Sequence, residues 1–592
     1  MIVASCLVVP LWAQNANEAI LPPVPHWSGK SRALALAPDH LWATPFEKGG
    51  MRTSPSHKDT MAWLDKLDAA SDQLAMINIG QSLQGRRLSV VIASKEGVND
   101  AAGLRANGKP TLFAHAGIHA GEIDGKDAGM MLLRDLTVTG KLSHLLDKVN
   151  FLFLPILSAD GHEDASPFNR INQRGPEVMG WRTNGRNLNL NRDFTKLETA
   201  GLKALIPFLV QFDPDLYFDI HVTDGIDYQY DITYGFIGTY GYSPAGAAWM
   251  NDHLRPFMDK ALDKAGHIPG DLIFAKDNSD ISKGLSGFAP SPRFSNSYGD
   301  LRHLPTVLVE NHSLKPYDQR VLGTYVMLTA ALDVLGQQGK SLRKAIEADR
   351  ARRPETVPTA FAQSGTEMID FLGIKYEKHN SEISGSQYVR WLGEPVTLRI
   401  PKETLTKATT EVRRPKGYYV PADWPEIIAK LRMHGIELTM LTQPKTAEVV
   451  MYRFGQAKLA SAPFEGRVRV TAPSVVERRT LSFPVGSAYV STDQPLGELI
   501  VMLLEPVSTD SFWQWGYFLE ILQVTEYFEA YALEPLATKM LAEDKSLALT
   551  FQEQVDTDPD FARNSRERLN YFYQRSQYAD RHWRLYPIAR DE

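Results

Sequence analysis

Two short motifs bring histidine and carboxylate side chains close enough in the chain to bind a metal ion. Residues 115–122 read HAGIHAGE, so His119 and Glu122 lie three residues apart on a glycine-rich turn that follows an apolar run. Both side chains can point at one ion from such a turn, and imidazole with carboxylate is a donor set that suits zinc. The second motif, Asp219-Ile-His221, ends another apolar run, which is where open α/β sheets place ligand sites. His221 is therefore either a third ligand delivered by the fold or an ordinary histidine at a sheet edge.

The stretch 180–194, between these motifs, is rich in groups that bind anions. It contains Arg182, Asn191 and Arg192. Guanidinium groups bind carboxylates through paired hydrogen bonds, and asparagine adds neutral donors. The alternative is a solvated polar loop.

Further along, Glu310 ends an apolar strand-like run, a costly place for a carboxylate unless it is paired or functional. A carboxylate in that position can serve as general base for a metal-bound water.

Strands and helices alternate around these motifs. Strand-like apolar runs are predicted at 76–80, 88–93, 111–114, 149–154, 216–220 and 306–309. Apolar residues at helical spacing predict helices at 58–74, 125–136, 199–212, 244–265 and 319–335. Alternation of this kind predicts an α/β fold, a sheet covered by helices on both faces.

The length of the chain and a change in its secondary-structure pattern predict several domains. A chain of 592 residues is too long for one hydrophobic core. We assign 1–25 to a signal segment and arm, 26–340 to a catalytic domain, 341–358 to a helix and linker, and 359–592 to an α+β accessory region. Short β-like runs dominate this last region, and it gathers no metal-binding or nucleophilic residues. Its role is not legible from the sequence.

Composition excludes several kinds of partner and site. The net charge of −6 gives no reason to expect nucleic acid or an anionic membrane as partner. The one cysteine, Cys6, rules out an internal disulfide and a thiolate zinc site. Residues 1–13 are uncharged and almost entirely apolar, which is typical of a secretory signal cleaved after Ala13 and too short for a membrane span. We therefore expect a secreted or periplasmic protein without an integral membrane segment. A lipid anchor at Cys6 and a buried N-terminal strand are the alternatives.

From about Lys58 to Leu335 the motifs together resemble the zinc carboxypeptidases, the carboxypeptidase A-like metallopeptidases of the M14 family. GIHAGE is similar to the family's first metal motif and DIH to its third-ligand strand, and both occur in the family's order. The resemblance implies a mixed sheet with helices on both faces. It also implies that His119, Glu122 and His221 bind Zn²⁺, and that Glu310 takes a proton from the metal-activated water.

The same resemblance implies how a peptide with a free C-terminal carboxylate is bound. Asn191 and Arg192 look like the family's Asn-Arg pair that binds this carboxylate, and Arg182 looks like the arginine that polarises the scissile carbonyl. Tyr298 is a candidate for the family's mobile substrate-binding tyrosine, and a tyrosine that only packs is the alternative. The implied enzyme is a zinc metallocarboxypeptidase that removes the last residue of a peptide.

Some positions depart from the family's pattern. Asn189 stands where the family usually has an aspartate, a position suited to orienting a ligand histidine; an amide oxygen there accepts a hydrogen bond without adding charge. Three further arginines, Arg170, Arg174 and Arg186, crowd the loop of Arg182. The resemblance makes His115 a structural or supporting residue rather than a ligand.

Two other functions fit the same residues. A zinc amidohydrolase that removes acyl groups from amino acids, or trims cell-wall peptides, shares the His-x-x-Glu and Asn-Arg pairs. A catalytically inactive module that only binds peptide carboxylates is an alternative of another class. Retention of Glu310 beside all three candidate ligands is the sequence feature against inactivity.

Overall fold

The computed structural model describes residues 18–592. The predicted signal segment, 1–13, lies outside the described residues. Within them, no helix is both long and apolar enough to cross a membrane.

An eight-stranded sheet forms the centre of the N-terminal part. Its strands are β1 (Leu74–Gln81), β2 (Arg87–Ala93), β3 (Thr111–Ala116), β4 (Asn150–Leu154), β5 (Leu216–Val222), β6 (Ile232–Gly235), β7 (Pro269–Asp271) and β8 (Thr306–Asn311). They lie in the order β1-β2-β4-β3-β5-β8-β6-β7. Strands β4, β3, β5 and β8 run parallel, while β1, β2 and β6 introduce antiparallel pairs. The predicted mixed sheet is thus confirmed.

Helices cover both faces of this sheet. They are α1 (Pro45–Lys48), α2 (His57–Asp68), α3 (Ala101–Asn107), α4 (Asp124–Leu136), α5 (Ala159–Glu163), α6 (Ala200–Phe212), α7 (Pro244–Trp249), α8 (Arg255–Ala265), α9 (Ser295–Leu301) and α10 (Tyr317–Arg350). Side chains alternate across a strand, so β2 sends Val90 to the core beneath α6 and Val91 to the core beneath α4 and α10. Both faces are therefore buried, as the continuous apolar runs predicted.

The parallel strands bring the functional motifs to one edge. In the pairing of β3 with β5, His115 lies opposite Asp219, and in that of β5 with β8, His221 lies opposite Glu310. The turn after β3 carries the remainder of the HAGIHAGE motif to this edge. Because parallel strands end on the same side of a sheet, residues distant in sequence become neighbours here.

Beyond α10 the chain is rich in strands. These are β9 (Thr356–Ala362), β10 (Gly365–Asn380), β11 (Gln387–Thr404), β12 (Lys407–Arg413), β13 (Gly417–Val420), β14 (Thr439–Met440), β15 (Lys445–Phe454), β16 (Lys458–Leu459), β17 (Val470–Thr471), β18 (Ser474–Phe483), β19 (Ala488–Ser491) and β20 (Ala589–Asp591). The helices are α11 (Pro425–Met433), α12 (Gly497–Leu504), α13 (Ala530–Glu543), α14 (Lys545–Thr557), α15 (Pro559–Arg563) and α16 (Ser565–Tyr573). A C-terminal region of mixed α and β elements was predicted, and one is found.

The C-terminal region, residues 359–592, shares a hydrophobic core with the α/β part. Leu205 of α6 belongs to the same buried cluster as Ile428 of α11 and Trp513. The long hairpin of β10 and β11 extends from this body, and its tip residue Ile383 is fully exposed. One face of the central sheet is therefore covered by residues from both halves of the chain. The domain boundaries given above stay a prediction.

Two helices differ from their predicted lengths. The helix predicted at 319–335 continues as α10 to Arg350, into the segment 341–358 that was assigned to a helix and linker. Apolar spacing over 518–541 also predicts a helix, but the helix begins only at Ala530, because Leu519–Leu522 forms a short 3-10 turn and the residues after it are irregular.

Candidate active site

Three buried side chains converge at the edge of the central sheet. The donor atoms of His119, Glu122 and His221 all lie within 4.8 Å of one another. Nδ1 of His119 is 3.1 Å from one carboxylate oxygen of Glu122, and Nδ1 of His221 is 3.0 Å from the other. This brings together the three residues named from the two sequence motifs.

The outer nitrogen of each histidine has an oxygen partner. Nε2 of His119 donates to Oδ1 of Asn189 at 2.9 Å, and Nε2 of His221 lies 2.8 Å from Oδ2 of Asp219. A proton on each Nε2 leaves both Nδ1 atoms with lone pairs, and these two atoms are only 3.2 Å apart beside the carboxylate. Lone pairs and a carboxylate directed at one point need a cation between them, so this donor set fits a zinc ion.

Burial and charge shift the pKa values of these groups. Burial lowers the pKa of His119 to about 4, which favours the neutral imidazole that a metal requires. Burial also acts against charge on His221 and Glu122. The carboxylate of Asp219 nevertheless raises the pKa of His221, and His119 and Arg170 hold that of Glu122 well below its usual range.

Glu310 faces the same centre from β8. It lies beside His221 in the strand pairing and lines a cavity of about 300 Å³ together with His119 and Glu122. Burial raises the pKa of Glu310 to about 8, with His221 opposing the rise and Glu122 adding to it. The carboxyl group is therefore poised to exchange a proton near neutral pH, as a general base requires.

The opposite side of the cavity is cationic. Arg182, Asn191 and Arg192 all line it. Arg192 lies over the ring of Phe294 at 4.4 Å and, within residues 18–592, forms no ion pair with a carboxylate. Burial, with the nearby charges of Arg293 and Arg182, lowers the pKa of Arg192 to about 10. Cations held close together in this way favour an anionic ligand.

Of the arginines that crowd this loop, two reach the metal-site carboxylate. Arg182 and Arg170 donate to the same oxygen of Glu122, at 3.0 Å and 2.8 Å. Only Arg182 also lines the cavity. Arg174 turns away and pairs with Glu18 at the N-terminal arm.

Tyr298 does not belong to this site. Its side chain is buried on α9, its ring packs on Phe194, and its hydroxyl donates to Nδ1 of His434 at 2.7 Å. The substrate-binding role of Tyr298 stays a prediction: in this structure its hydroxyl is engaged in the contact between α9 and the C-terminal region and does not line the cavity. His115 likewise points away from the ligands, towards the hydroxyl of Tyr217.

Sequence reasoning missed three parts of the site. Asp219, the partner of His221, could have been found because residues two apart on a strand share one face. An aromatic wall is formed by Phe274, Phe288 and Phe294, whose rings follow one another at 5.7 Å between centroids. Glu465, which accepts a hydrogen bond from the backbone of Asn189, comes from the C-terminal region and leaves no local signal.

Comparisons with known proteins find similarity to carboxypeptidases. Residues 60–213 match the family model of the zinc carboxypeptidases, peptidase M14. The chain is 22% identical over 424 residues to carboxypeptidase 2 of Trichophyton tonsurans, covering 69% of this chain and 74% of that protein. With carboxypeptidase 2 of Trichophyton rubrum it shares 22% identity over 489 residues, 78% of this chain and 84% of that protein. Among solved structures, a metallo-carboxypeptidase from Burkholderia cenocepacia is similar at 17% identity and a TM-score of 0.35, covering 48% of this chain and 70% of that one.

Proposed function

We propose that the chain is a zinc-dependent metallocarboxypeptidase that hydrolyses the C-terminal peptide bond of peptides, supported by the match of residues 60–213 to the zinc carboxypeptidase model and by its similarity to carboxypeptidases. One observation carries the proposal: His119 and Glu122, which form a buried cluster with His221, line the same cavity as Glu310 and Arg192. A metal centre, a proton acceptor and a carboxylate-binding cation are the parts that such a reaction needs.

His119, Glu122 and His221 would hold the zinc ion, with Asn189 and Asp219 fixing the orientation of the two histidines. Zinc held by three protein ligands lowers the pKa of a bound water and polarises a carbonyl group.

Glu310 is the proton carrier of the proposed reaction. Its carboxylate takes a proton from the attacking water and returns it to the nitrogen of the leaving amino acid. The location of Glu310 on β8, next to His221, supports this role because it keeps the carboxylate beside the metal ligands.

Arginine side chains bind and orient the substrate. Arg192 and Asn191 bind the free C-terminal carboxylate, which restricts cleavage to the last bond of the chain. Arg182, which reaches Glu122 at 3.0 Å and is 39% exposed, donates to the carbonyl oxygen as negative charge develops on it.

The cavity wall favours an apolar C-terminal side chain. Phe294 lies beneath the guanidinium of Arg192, and Phe288 and Phe274 continue the wall from it. In a C-terminal residue the side chain is attached next to the carboxylate. When Arg192 binds that carboxylate, the side chain therefore lies near this aromatic wall. Burial of a Leu or Phe side chain contributes about 1.5–3 kcal/mol.

A peptide library digested with and without a chelator, and analysed by mass spectrometry, tests the proposal. We expect chelator-sensitive loss of single residues from the C-terminus, no cleavage of C-terminally amidated peptides, and faster release of Phe and Leu than of Arg or Glu. N-acyl amino acids, offered in parallel, test the deacylase alternative. Their hydrolysis without any C-terminal ladder would contradict the carboxypeptidase. Zinc binding with neither activity would favour the inactive binding module.

We further propose that the enzyme is exported, on the apolar composition of residues 1–13. N-terminal sequencing of protein recovered outside the cytoplasm should then start after Ala13. An intact N-terminus there would contradict cleavage.

A further inference from the structure

The C-terminal region contacts the loop that carries Asn191 and Arg192 along much of its length. We call residues 187–199 the binding segment. Trp515 donates from Nε1 to Oγ1 of Thr195 at 3.1 Å, and His434 donates to the carbonyl of the same residue at 3.2 Å. These contacts fix the middle of the segment from outside the α/β part.

A tight turn of the C-terminal region reaches the start of the binding segment. It runs from Phe464 to Arg467, and its two central residues, Glu465 and Gly466, have φ values of 50° and 77°. Two successive left-handed residues make the sharp turn that joins antiparallel strands in two residues. Gly466 lies against Leu188: a Cβ on the glycine would be 3.3 Å from Cδ2 of Leu188.

The last residue of this turn, Arg467, also contacts the binding segment. Arg467 donates from Nε to Glu198 at 2.9 Å, at the far end of the binding segment. Its guanidinium also lies 3.9 Å from the ring of Tyr517, whose hydroxyl donates to the same carboxylate of Glu198 at 2.8 Å. The turn therefore contacts both ends of the binding segment.

Glu465 connects this turn to the metal centre through a single residue. Its Oε2 accepts a hydrogen bond from the backbone N–H of Asn189 at 2.8 Å. Oδ1 of Asn189 in turn accepts from Nε2 of His119 and from the backbone N–H of Asn191, both at 2.9 Å. A shift of Asn189 would move one metal-binding histidine and the Asn-Arg pair together.

The C-terminal region also balances the charge of the arginines at the cavity. Asp510 binds Arg293 at 3.1 Å, and Glu465 is a second carboxylate whose charge acts on Arg192. Without these two carboxylates, Arg182, Arg192 and Arg293 would repel one another more strongly.

We propose that Glu465 is a positioning residue for the active site, through which the C-terminal region orients Asn189 and thereby both His119 and Arg192. Glu465 does not line the cavity, so it acts through Asn189 rather than on the substrate. The inference rests on the proposed function for its kinetic consequence but not for its effect on zinc binding.

Two substitutions at Glu465 separate positioning from folding. Glu465→Asn suits the left-handed backbone of this position but is too short to reach Asn189, whereas Glu465→Gln keeps an oxygen that accepts the hydrogen bond. Glu382→Asn, at an exposed position in the connection between β10 and β11 that does not line the cavity, is the matched control. Zinc affinity is measured by competition with a chelating dye, and kcat and KM are measured on one peptide.

We expect Glu465→Asn to weaken zinc binding and to raise KM, each by about 5-fold, the equivalent of one hydrogen bond. In Glu465→Gln, zinc affinity and KM should both stay within about 2-fold of the wild-type values. In Glu382→Asn, both should equal the wild-type values. If zinc affinity and KM are unchanged in Glu465→Asn, the proposal is wrong, whatever happens to the melting temperature. A wild-type protein that binds zinc but releases no C-terminal residue would contradict the proposed function, while the order of zinc affinities would still decide the role of Glu465.

Discussion

The metal centre and the binding segment are built in different ways. His119, Glu122, His221 and Glu310 stand on or after strands of one sheet, and strand register together with the turn after β3 makes them neighbours. The binding segment, residues 187–199, has only a short 3-10 turn at Leu190–Arg192 before α6 begins, and contacts from the C-terminal region hold it in place. The candidate metal centre is thus formed mainly within the sheet and the turn after β3, whereas the proposed carboxylate-binding residues lie on a segment that depends on packing between two halves of the chain.

The largest effect is expected at the metal centre, from Glu310→Gln. The amide cannot accept the proton, so kcat should fall by about 10²–10⁴-fold while zinc content is kept. Only ionised Glu310 accepts a proton, so wild-type kcat/KM should fall as the pH drops through its pKa, which burial raises. The variant should lack this dependence.

Asp224→Asn makes the matched change at an exposed carboxylate of the same cavity. We expect activity within about 3-fold of wild type, as for a surface substitution. Equal losses of activity in Glu310→Gln and Asp224→Asn would contradict the role of Glu310 as general base.

A smaller effect is expected in the binding segment, from Arg192→Lys. Lysine keeps the charge but loses the paired hydrogen bonds to a carboxylate, so KM should rise by about 10–100-fold with a smaller change in kcat. Steady-state kinetics on a peptide with a free carboxylate measure this. Arg293→Lys is the control, because Arg293 lies over the same Phe294 ring but pairs with Asp510. A fall in kcat alone would place Arg192 at the reaction rather than at the carboxylate.

Substitutions at the residues that contact the two ligand histidines compare the two regions directly. Asp219 belongs to β5, while Asn189 belongs to the segment held by the C-terminal region. Asp219→Asn removes the negative charge next to His221 and should weaken zinc binding by about 10-fold. Asn189→Asp adds a negative charge next to His119 and should strengthen zinc binding. Chelator competition gives both affinities. Changes of the same sign in the two variants would show that charge behind the histidines does not set the affinity.

The smallest effect is expected from Ile383→Ser. Ile383 is fully exposed at the tip of the hairpin formed by β10 and β11. The free energy of unfolding should change by less than about 0.5 kcal/mol, and kinetics should be unchanged. Denaturant unfolding and peptide kinetics check this. A clear loss of activity would extend the functional part of the C-terminal region beyond its contacts with the binding segment.

Much of the sheet could be predicted because its strands are buried on both faces and therefore appear as continuous apolar runs. The strands that supply His221 and Glu310 are of this kind. Strands β6 and β7 were missed because they contain only four and three residues and have no clear periodicity. The contact of the Tyr298 hydroxyl with His434 could not be predicted, because the two residues lie more than a hundred positions apart and nothing local indicates it.

The sequence by itself determined the donor types, their order and the strands that carry them, because motif spacing and apolar runs are local properties. Only the tertiary structure decided which oxygen orients each histidine, which side chains line the cavity, and how the C-terminal region takes part. The physical reason is that these contacts join segments far apart in the chain. Glu465 and Asn189 meet only after the two halves have packed on a common core.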